Sequence, residues 1–182
     1  VDACAGAGGK SLHLAAMMQN KGQLIALDIH QYKLNELKRR AKRAGAHNIE
    51  TRLIDSTKVI KKLHQSADRV LLDAPCSGMG VLRRNPDAKW KLSQEFIDRI
   101  TKEQQQILRQ YAHMVKPDGK LIYVTCSVLP QENEAQVAEF LTTEIGQSFS
   151  LEKEKHFWPS VHGFDGFYIC LLYTSPSPRD PS

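Results

Sequence analysis

The sequence lacks the features of several protein classes. No run of about 18 apolar residues occurs, so no membrane-spanning helix is expected. No charged n-region precedes an apolar h-region, so no signal peptide is visible. The four cysteines are widely spaced and form no CxxC pair, so neither a metal site nor a disulfide framework is predicted. Reduced thiols in a cytoplasmic protein fit this pattern best.

The composition is that of an ordinary globular domain. Hydrophobic residues make up 41% of the 182 residues and charged residues 25%, which suits one domain with its own core. The formal net charge of +5 permits a polyanionic partner but does not require one. Composition does not determine the oligomeric state, and a monomer is the default expectation.

The two ends of the chain differ from the rest. The opening residues, VDACAG, have the pattern of a strand interior, so we expect further sequence before Val1. The folded domain is predicted to span residues 1–172. Residues 173–182 are rich in serine and proline and are predicted to be an unstructured tail of cloning or sequencing origin.

Strand patterns alternate with helix patterns along the domain. Strands are predicted at 23–28, 49–55, 69–73, 120–125 and 167–172, and helices at 32–45, 58–64, 93–115 and 131–143, with a turn at 116–119. This alternation predicts an α/β fold with a doubly wound, mostly parallel sheet. Ligands of such sheets bind beyond the carboxyl ends of the strands, which is where the chemically interesting residues fall.

The small-residue segment DACAGAGGKS, residues 2–11, has the pattern of a loop between a strand and a helix. Its glycines would let the backbone approach a ligand, although neither GxxxxGK[ST] nor GxGxxG is present. Asp28 and Asp55 follow the next two strands, where each could bind a ribose hydroxyl or cap a helix. Taken together, the loop and the two acids favour a nucleoside ligand.

Two cysteines, Cys76 and Cys126, lie in loops that follow strands and should meet at the same sheet edge. They could be reactive thiols or small buried packing residues. Cys170 lies within an apolar strand and is predicted to be an inert core residue.

Four segments carry a family resemblance: DACAGAGGK, LIALDI, ADRVLLDAPCSGMGVLRRNPDAKW and YVTCSVLPQENEAQVAEFL. They resemble RNA 5-methylcytosine methyltransferases of the Sun/NOP2/RsmB type, and the resemblance extends from Asp2 to about Leu172. It implies a Rossmann-like class I methyltransferase sheet with an antiparallel last strand. It also implies S-adenosyl-L-methionine as cofactor and RNA as substrate, with ribosomal RNA favoured over transfer RNA.

The resemblance also assigns roles to residues. Cys126 maps to the nucleophile, Cys76 to the group that assists product release, and Asp73 to a position near both methyl donor and target base. Asp28 maps to the ribose contact and Asp55 to the adenine side. The remaining cofactor-binding residues implied are Cys4, Ala5, Gly6, Ala7, Gly8, Gly9 and Lys10.

The chemistry of cytosine explains why two thiols are useful. C5 of cytosine is a poor nucleophile, and a thiolate that adds to C6 makes C5 enamine-like and able to attack a sulfonium methyl group. Loss of the C5 proton and expulsion of the thiol then restore aromaticity.

RNA contacts are expected in the segment RRNPDAKWK. Arg83, Arg84 and Lys89 could grip phosphates, and Trp90 could either stack on a base or cover the core. Relatives usually carry an amino-terminal RNA-binding extension, and the resemblance, which begins at Asp2, does not include one.

Two other functions compete with this hypothesis. Amino-group methyltransferases typically carry a D/N-P-P-Y/F loop, whereas this chain has Asp73-Ala74-Pro75-Cys76. A module that binds S-adenosylmethionine and RNA without turnover would not need Cys126.

Overall fold

The sheet provides the framework of the protein. The computed structural model describes residues 1–175. Within this range six strands form: β1 (Leu24–Asp28), β2 (Ile49–Leu53), β3 (Ala67–Asp73), β4 (Val115–Thr125), β5 (Phe149–Phe157) and β6 (Phe167–Thr174). β1 pairs with β2, and the other four follow in the order β3-β4-β6-β5.

A short central segment joins the two groups of strands. Asp2 forms parallel bridges to Ala26 of β1 and to Leu71 of β3. The β1–β2 and β3–β4 pairs are parallel, whereas β6 runs antiparallel to both β4 and β5. The predicted mostly parallel sheet with an antiparallel last strand is therefore confirmed.

Helices pack on both faces of this sheet. They are α1 (Gly9–Met17), α2 (Gln31–Ala44), α3 (Thr57–Lys61), α4 (Gln94–Ala112), α5 (Glu134–Thr142) and α6 (Pro159–His162). Successive residues of a strand point to opposite faces. Accordingly, Ala26 packs in one apolar cluster with Leu37 of α2, whereas Leu27 packs in a second cluster with Leu108 of α4. Both faces are covered, as the doubly wound prediction requires.

The longest helix, α4, begins at a strong capping residue. Ser93 has extended backbone angles, and its Oγ accepts a hydrogen bond of 3.1 Å from the amide of Phe96. This bond satisfies an amide that the first helical turn leaves without a partner. No helix within residues 1–175 is long and apolar enough to cross a membrane.

Two strands extend beyond their predicted limits. β4 begins at Val115, so the predicted turn at 116–119 is an irregular part of the strand, where Asp118 adopts a positive φ of 62°. β6 continues to Thr174, so Tyr173 and Thr174 belong to the sheet and not to the predicted tail. The remainder of that tail, residues 176–182, lies outside the described residues, and its origin stays a prediction.

The strand β5 was not predicted. It pairs with β6 along its whole length, although most of its side chains between Phe149 and Phe157 are exposed. Its sequence, FSLEKEKHF, places four charged residues in a row, so it lacks the apolar alternation that identifies a strand.

Candidate active site

A cavity of about 410 Å³ lies at the carboxyl ends of β1 and β3. The predicted residues at this edge come from separate strands, and the parallel sheet brings their ends together. The cavity is lined by Ala3, Cys4, Gly6, Asp28, Ile29, His30, Lys33, Ile54, Asp73, Pro75, Glu103, Ile107 and Tyr111.

Asp28 fixes the glycine-rich loop. Its Oδ2 accepts a hydrogen bond of 2.9 Å from the amide of Gly6, and its Oδ1 accepts one of 2.8 Å from the amide of His30 at the start of α2. Gly6 has a φ of +55°, which favours glycine. Asp28 thus lines the cavity and also binds the amide of the residue that precedes α2, while its contact with a ribose stays a prediction.

A second contact fastens the loop from outside. Arg40 Nη1 donates a hydrogen bond of 2.8 Å to the carbonyl of Ala7. Arg40 belongs to the basic segment KRRAKR, residues 38–43, of α2. One member of that segment therefore supports the candidate cofactor loop.

Lys10 and Asp73 form an ion pair across the cavity edge. Lys10 Nζ lies 2.5 Å from Asp73 Oδ2, and both side chains remain partly exposed. A cation at the start of a helix is unfavourable without a negative partner, and Asp73 provides one. Asp73 also lines the cavity, close to the loop that carries Cys76.

The two loop cysteines are in direct contact. The Sγ atoms of Cys76 and Cys126 are 3.1 Å apart, within hydrogen-bond distance for sulfur. The hydrogen bond from Cys76 lowers the pKa of Cys126, an effect that burial opposes. The same bond, together with burial, raises the pKa of Cys76. Of the two thiols, Cys126 is therefore the one that loses its proton more readily, and Cys76 is the one that keeps it.

The other two cysteines have different surroundings. Cys170 is fully buried in β6, and burial raises its pKa to about 12, so its predicted core position is confirmed. Burial likewise raises the pKa of Cys4 far above its ordinary value. Within residues 1–175 no group of three or more His, Cys, Asp and Glu side chains is arranged to hold a metal ion.

A backbone contact links the Cys126 loop to two glycines. The amide of Gly80 donates to the carbonyl of Cys126 at 2.9 Å, and the amide of Gly166 donates to the carbonyl of Gly80 at 2.7 Å. An ion pair between Arg84 and Asp165 joins the same two segments. These contacts hold the segment before β6 against the loops that carry Cys76 and Cys126.

Sequence reasoning missed one buried carboxylate, that of Glu132. This side chain accepts hydrogen bonds from Ser77, Gln104 and Ser127. The sequence offers one hint of this arrangement, because each cysteine is followed by a serine, at 76–77 and 126–127, and these serines bind Glu132. The residues around Glu132, PQENEA, indicate no more than the start of a helix.

Four further predicted residues are accessible to solvent: Asp55, Arg83, Lys89 and Trp90. Trp90 is 78% exposed, so the alternative that it covers the core is wrong, and Lys89 Nζ lies 4.7 Å from its ring centroid. Arg83 is exposed as well. Asp55 is exposed and accepts a hydrogen bond from Ser56 Oγ, whereas its neighbour Ile54 lines the cavity. The role of Asp55 on the adenine side stays a prediction.

Comparison with known proteins gives a consistent result. The family described as "16S rRNA methyltransferase RsmB/F" matches residues 1–173. The chain is 38% identical to the probable ribosomal RNA small subunit methyltransferase B of Bacillus subtilis (strain 168), over 94% of this chain and 42% of that protein. It is 41% identical to the tRNA (cytosine(72)-C(5))-methyltransferase NSUN6 of Mus musculus, over 79% of this chain and 32% of that protein.

A solved structure shows the same architecture. The crystal structure of NSun6 from Pyrococcus horikoshii with SFG superposes with a TM-score of 0.84 at 28% identity, covering 97% of this chain and 47% of that one. The chain thus spans less than half the length of these relatives. Because the family match covers nearly all of the described residues, the chain belongs to the RsmB/F family of 16S rRNA methyltransferases.

Proposed function

We propose that this chain is the catalytic domain of a cytoplasmic RNA cytosine-C5 methyltransferase that uses S-adenosyl-L-methionine and acts on ribosomal RNA. The observation that carries the proposal is the contact between Cys76 and Cys126, 3.1 Å apart, where Cys76 directly follows Pro75 and both Asp73 and Pro75 line the cavity of about 410 Å³. An amino-group methyltransferase has no use for this pair, because its target nitrogen is already nucleophilic. Family membership supports RNA as the substrate.

The residues of the cavity fit S-adenosylmethionine. Asp28 faces the cavity with a carboxylate that can accept hydrogen bonds from ribose hydroxyls, and Ile54 and Ile107 offer apolar contacts to a flat base. The partly exposed Lys10 can reach a ligand carboxylate. When bound, the cofactor supplies a methyl group on a sulfonium ion, which is open to attack by a carbon nucleophile.

The chain's own residues perform the covalent steps. The Cys126 thiolate forms a bond to C6 of cytosine, and the electron pair of the C5–C6 double bond moves so that C5 becomes nucleophilic. After C5 is methylated, loss of its proton returns an electron pair to the ring. The C6–sulfur bond then breaks, and Cys126 leaves as a thiolate that the Cys76 hydrogen bond stabilises.

RNA would contact the surface beside the thiols. Arg83, Lys89 and Trp90 are exposed there and combine positive charge with an aromatic face. Arg84 belongs to the same surface but is already paired with Asp165, so it can contact a phosphate only in addition to that pair.

Methyl transfer with single-cysteine variants tests the proposal. The full chain, S-adenosylmethionine labelled in its methyl group, and 16S ribosomal RNA or transfer RNA should give label in 5-methylcytidine, with more from ribosomal RNA. Cys126→Ala should abolish transfer, and Cys76→Ala should accumulate a protein–RNA adduct that survives denaturing electrophoresis.

Cys170→Ala is the matched control, because it removes a thiol outside the site and should keep activity. Label confined to N-methylated nucleosides would contradict the proposed chemistry. An adduct formed by Cys126→Ala but not by Cys76→Ala would show that the two thiol roles are reversed.

A further inference from the structure

The carboxylate of Glu132 is completely buried between the two cysteine loops. Its exposed fraction is 0%, and four donors surround it. Oε1 accepts from the amide of Ser77 at 2.7 Å and from Gln104 Nε2 at 3.0 Å. Oε2 accepts from the hydroxyls of Ser77, at 2.5 Å, and of Ser127. Hydrogen bonds to a carboxylate are stronger than those between neutral groups, so Glu132 holds Ser77, Gln104 and Ser127 in fixed positions.

The donors are the residues that directly follow the two cysteines. Ser77 comes after Cys76 on the loop that leaves β3, and Ser127 comes after Cys126 on the loop that leaves β4. Their hydroxyl oxygens lie 3.3 Å apart. A single carboxylate therefore sets the separation of two loops that are 50 positions apart in the chain.

Glu132 is itself held firmly by its neighbours. The hydroxyl of Tyr123 donates a hydrogen bond of 2.7 Å to the carbonyl of Glu132. The side chain of Asn133 accepts from Thr125 Oγ1 at 2.5 Å and donates to the carbonyl of Ser127 at 3.0 Å. The segment that carries the carboxylate is thus anchored to the end of β4, and little movement of Glu132 is possible.

We propose that Glu132 is a positioning residue that keeps the Cys76 and Cys126 thiols at hydrogen-bond distance. It touches neither the cavity that fits the cofactor nor the sulfur atoms, and it acts through Ser77 and Ser127. Without this link the two loops can separate, and Cys126 then loses the donor that favours its thiolate form. The consequence for catalysis rests on the proposed function, whereas the consequence for thiol reactivity does not.

The substitution Glu132→Gln keeps the size of the side chain and replaces one acceptor oxygen by an NH₂ group. An NH₂ group donates and cannot accept, so at the position of Oε1 it would face two N–H donors and form no bond with them. At the position of Oε2 it would reverse the bonds to the two serine hydroxyls, which then lose the strengthening that a charged acceptor gives, so the link between the loops is weakened in either orientation. The matched control is Glu139→Gln on α5, whose carboxylate is partly exposed and binds Gln105 and Arg109. Both variants remove one negative charge, but only Glu132 contacts the cysteine loops.

Alkylation of Cys126 by iodoacetamide, followed across pH by peptide mass spectrometry, is the decisive measurement. A thiolate reacts and a thiol does not, so the pH at half-maximal rate reports the pKa of Cys126. In Glu132→Gln the profile should move to higher pH, because the hydrogen bond from Cys76 is weakened, while Glu139→Gln should match the parent. In a Cys76→Ala background the donor is already gone, so adding Glu132→Gln should move the profile no further.

Methyl transfer by Glu132→Gln should fall about tenfold to hundredfold in kcat, with the Kd for S-adenosylmethionine within about twofold of the parent. An unchanged alkylation profile in folded Glu132→Gln protein would overturn the proposal. If that variant does not fold, Ser77→Ala and Ser127→Ala each remove one donor, and two unshifted profiles would overturn it equally. Alkylation needs no RNA, so a parent chain that makes no 5-methylcytidine would contradict the proposed function and leave this test intact.

Discussion

Gly80 lies where two backbone segments meet Cys126, and the substitution Gly80→Ala tests that contact. A Cβ at this position would be 2.2 Å from the carbonyl oxygen of Gly166 and 2.8 Å from that of Cys126. Neither partner is the end of a flexible side chain, so the segments have to move apart. The φ of Gly80 lies outside the left-handed region, so the cost comes from the contact and not from backbone strain.

The expected loss of stability can be worked out from these contacts. Overpacking of this kind costs roughly 1–3 kcal/mol. Each of the two hydrogen bonds through Gly80 contributes about 0.5–1.5 kcal/mol, and both lengthen when the segments separate. An alanine reduces the entropy of the unfolded chain, which offsets about 0.4–1 kcal/mol. The net effect is about 1–6 kcal/mol, or a fall in Tm of roughly 2–24 °C for a chain of this size.

Differential scanning calorimetry of Gly80→Ala and Gly9→Ala measures the effect. Gly9 begins α1 without a positive φ, and a Cβ there meets nothing within 4 Å. Gly9→Ala should therefore leave Tm unchanged or raise it slightly, because alanine is favoured over glycine in a helix by about 0.5–1 kcal/mol. A Gly80→Ala protein with the Tm of the parent and full methyl transfer would refute the close approach of Gly80, Gly166 and Cys126.

Two further substitutions test the helix cap and the cofactor cavity. Ser93→Ala removes the cap of α4 and should lower the free energy of unfolding, measured by urea titration, by about 1 kcal/mol. The control is Ser56→Ala, which should have little effect because Ser56 precedes α3 without a side-chain cap bond. Equal losses in both variants would show that the Ser93 bond adds nothing. Asp28→Ala removes the acceptor of the Gly6 and His30 amides and should weaken S-adenosylmethionine binding at least about tenfold by calorimetry. An unchanged Kd would show that Asp28 does not contribute to the cofactor site. Asp55→Ala, measured in parallel, tests whether that exposed carboxylate contacts the ligand.

Sequence reasoning predicted the elements whose pattern is local. The buried strands β1, β3 and β6 have continuous apolar runs, and α4 has both a serine cap and an apolar stripe. β5 could not be identified in this way, because it is held by main-chain pairing with β6 while charged side chains cover its exposed positions. Tyr173 and Thr174 could not be assigned to a strand from sequence either, because the polar residues that follow them in the chain suggest a tail. Main-chain pairing with β4 and β5 places them in the sheet.

The candidate site was predictable to the extent that it follows from topology. Parallel strands end at one edge, so Asp28, Asp55, Asp73, Cys76 and Cys126 were expected to converge there. The structure places Asp28 and Asp73 in one cavity and the two thiols in contact with each other, whereas Asp55 is exposed and lies outside the cavity lining. The contact between Arg40 and Ala7 was not predictable, because a basic helix face gives no sign of which residue turns toward a loop. The burial of Glu132 likewise depends on donors from three separate parts of the chain.

The central segment of the sheet has a consequence for how the chain folds. Asp2 pairs on one side with β1, which soon follows it, and on the other with β3, whose Arg69 lies 68 positions after Val1. During synthesis, the segment around Asp2 can therefore pair with β1 soon after β1 emerges, but it can pair with β3 only after many more residues have been added. Non-local pairings of this kind slow folding, and the glycine-rich loop that continues from Asp2 cannot take its final position before β3 arrives. The candidate cofactor pocket thus cannot be complete until β3 has been synthesised, and the wall that α4 contributes through Glu103, Ile107 and Tyr111 arrives later still, although the glycine-rich loop precedes both.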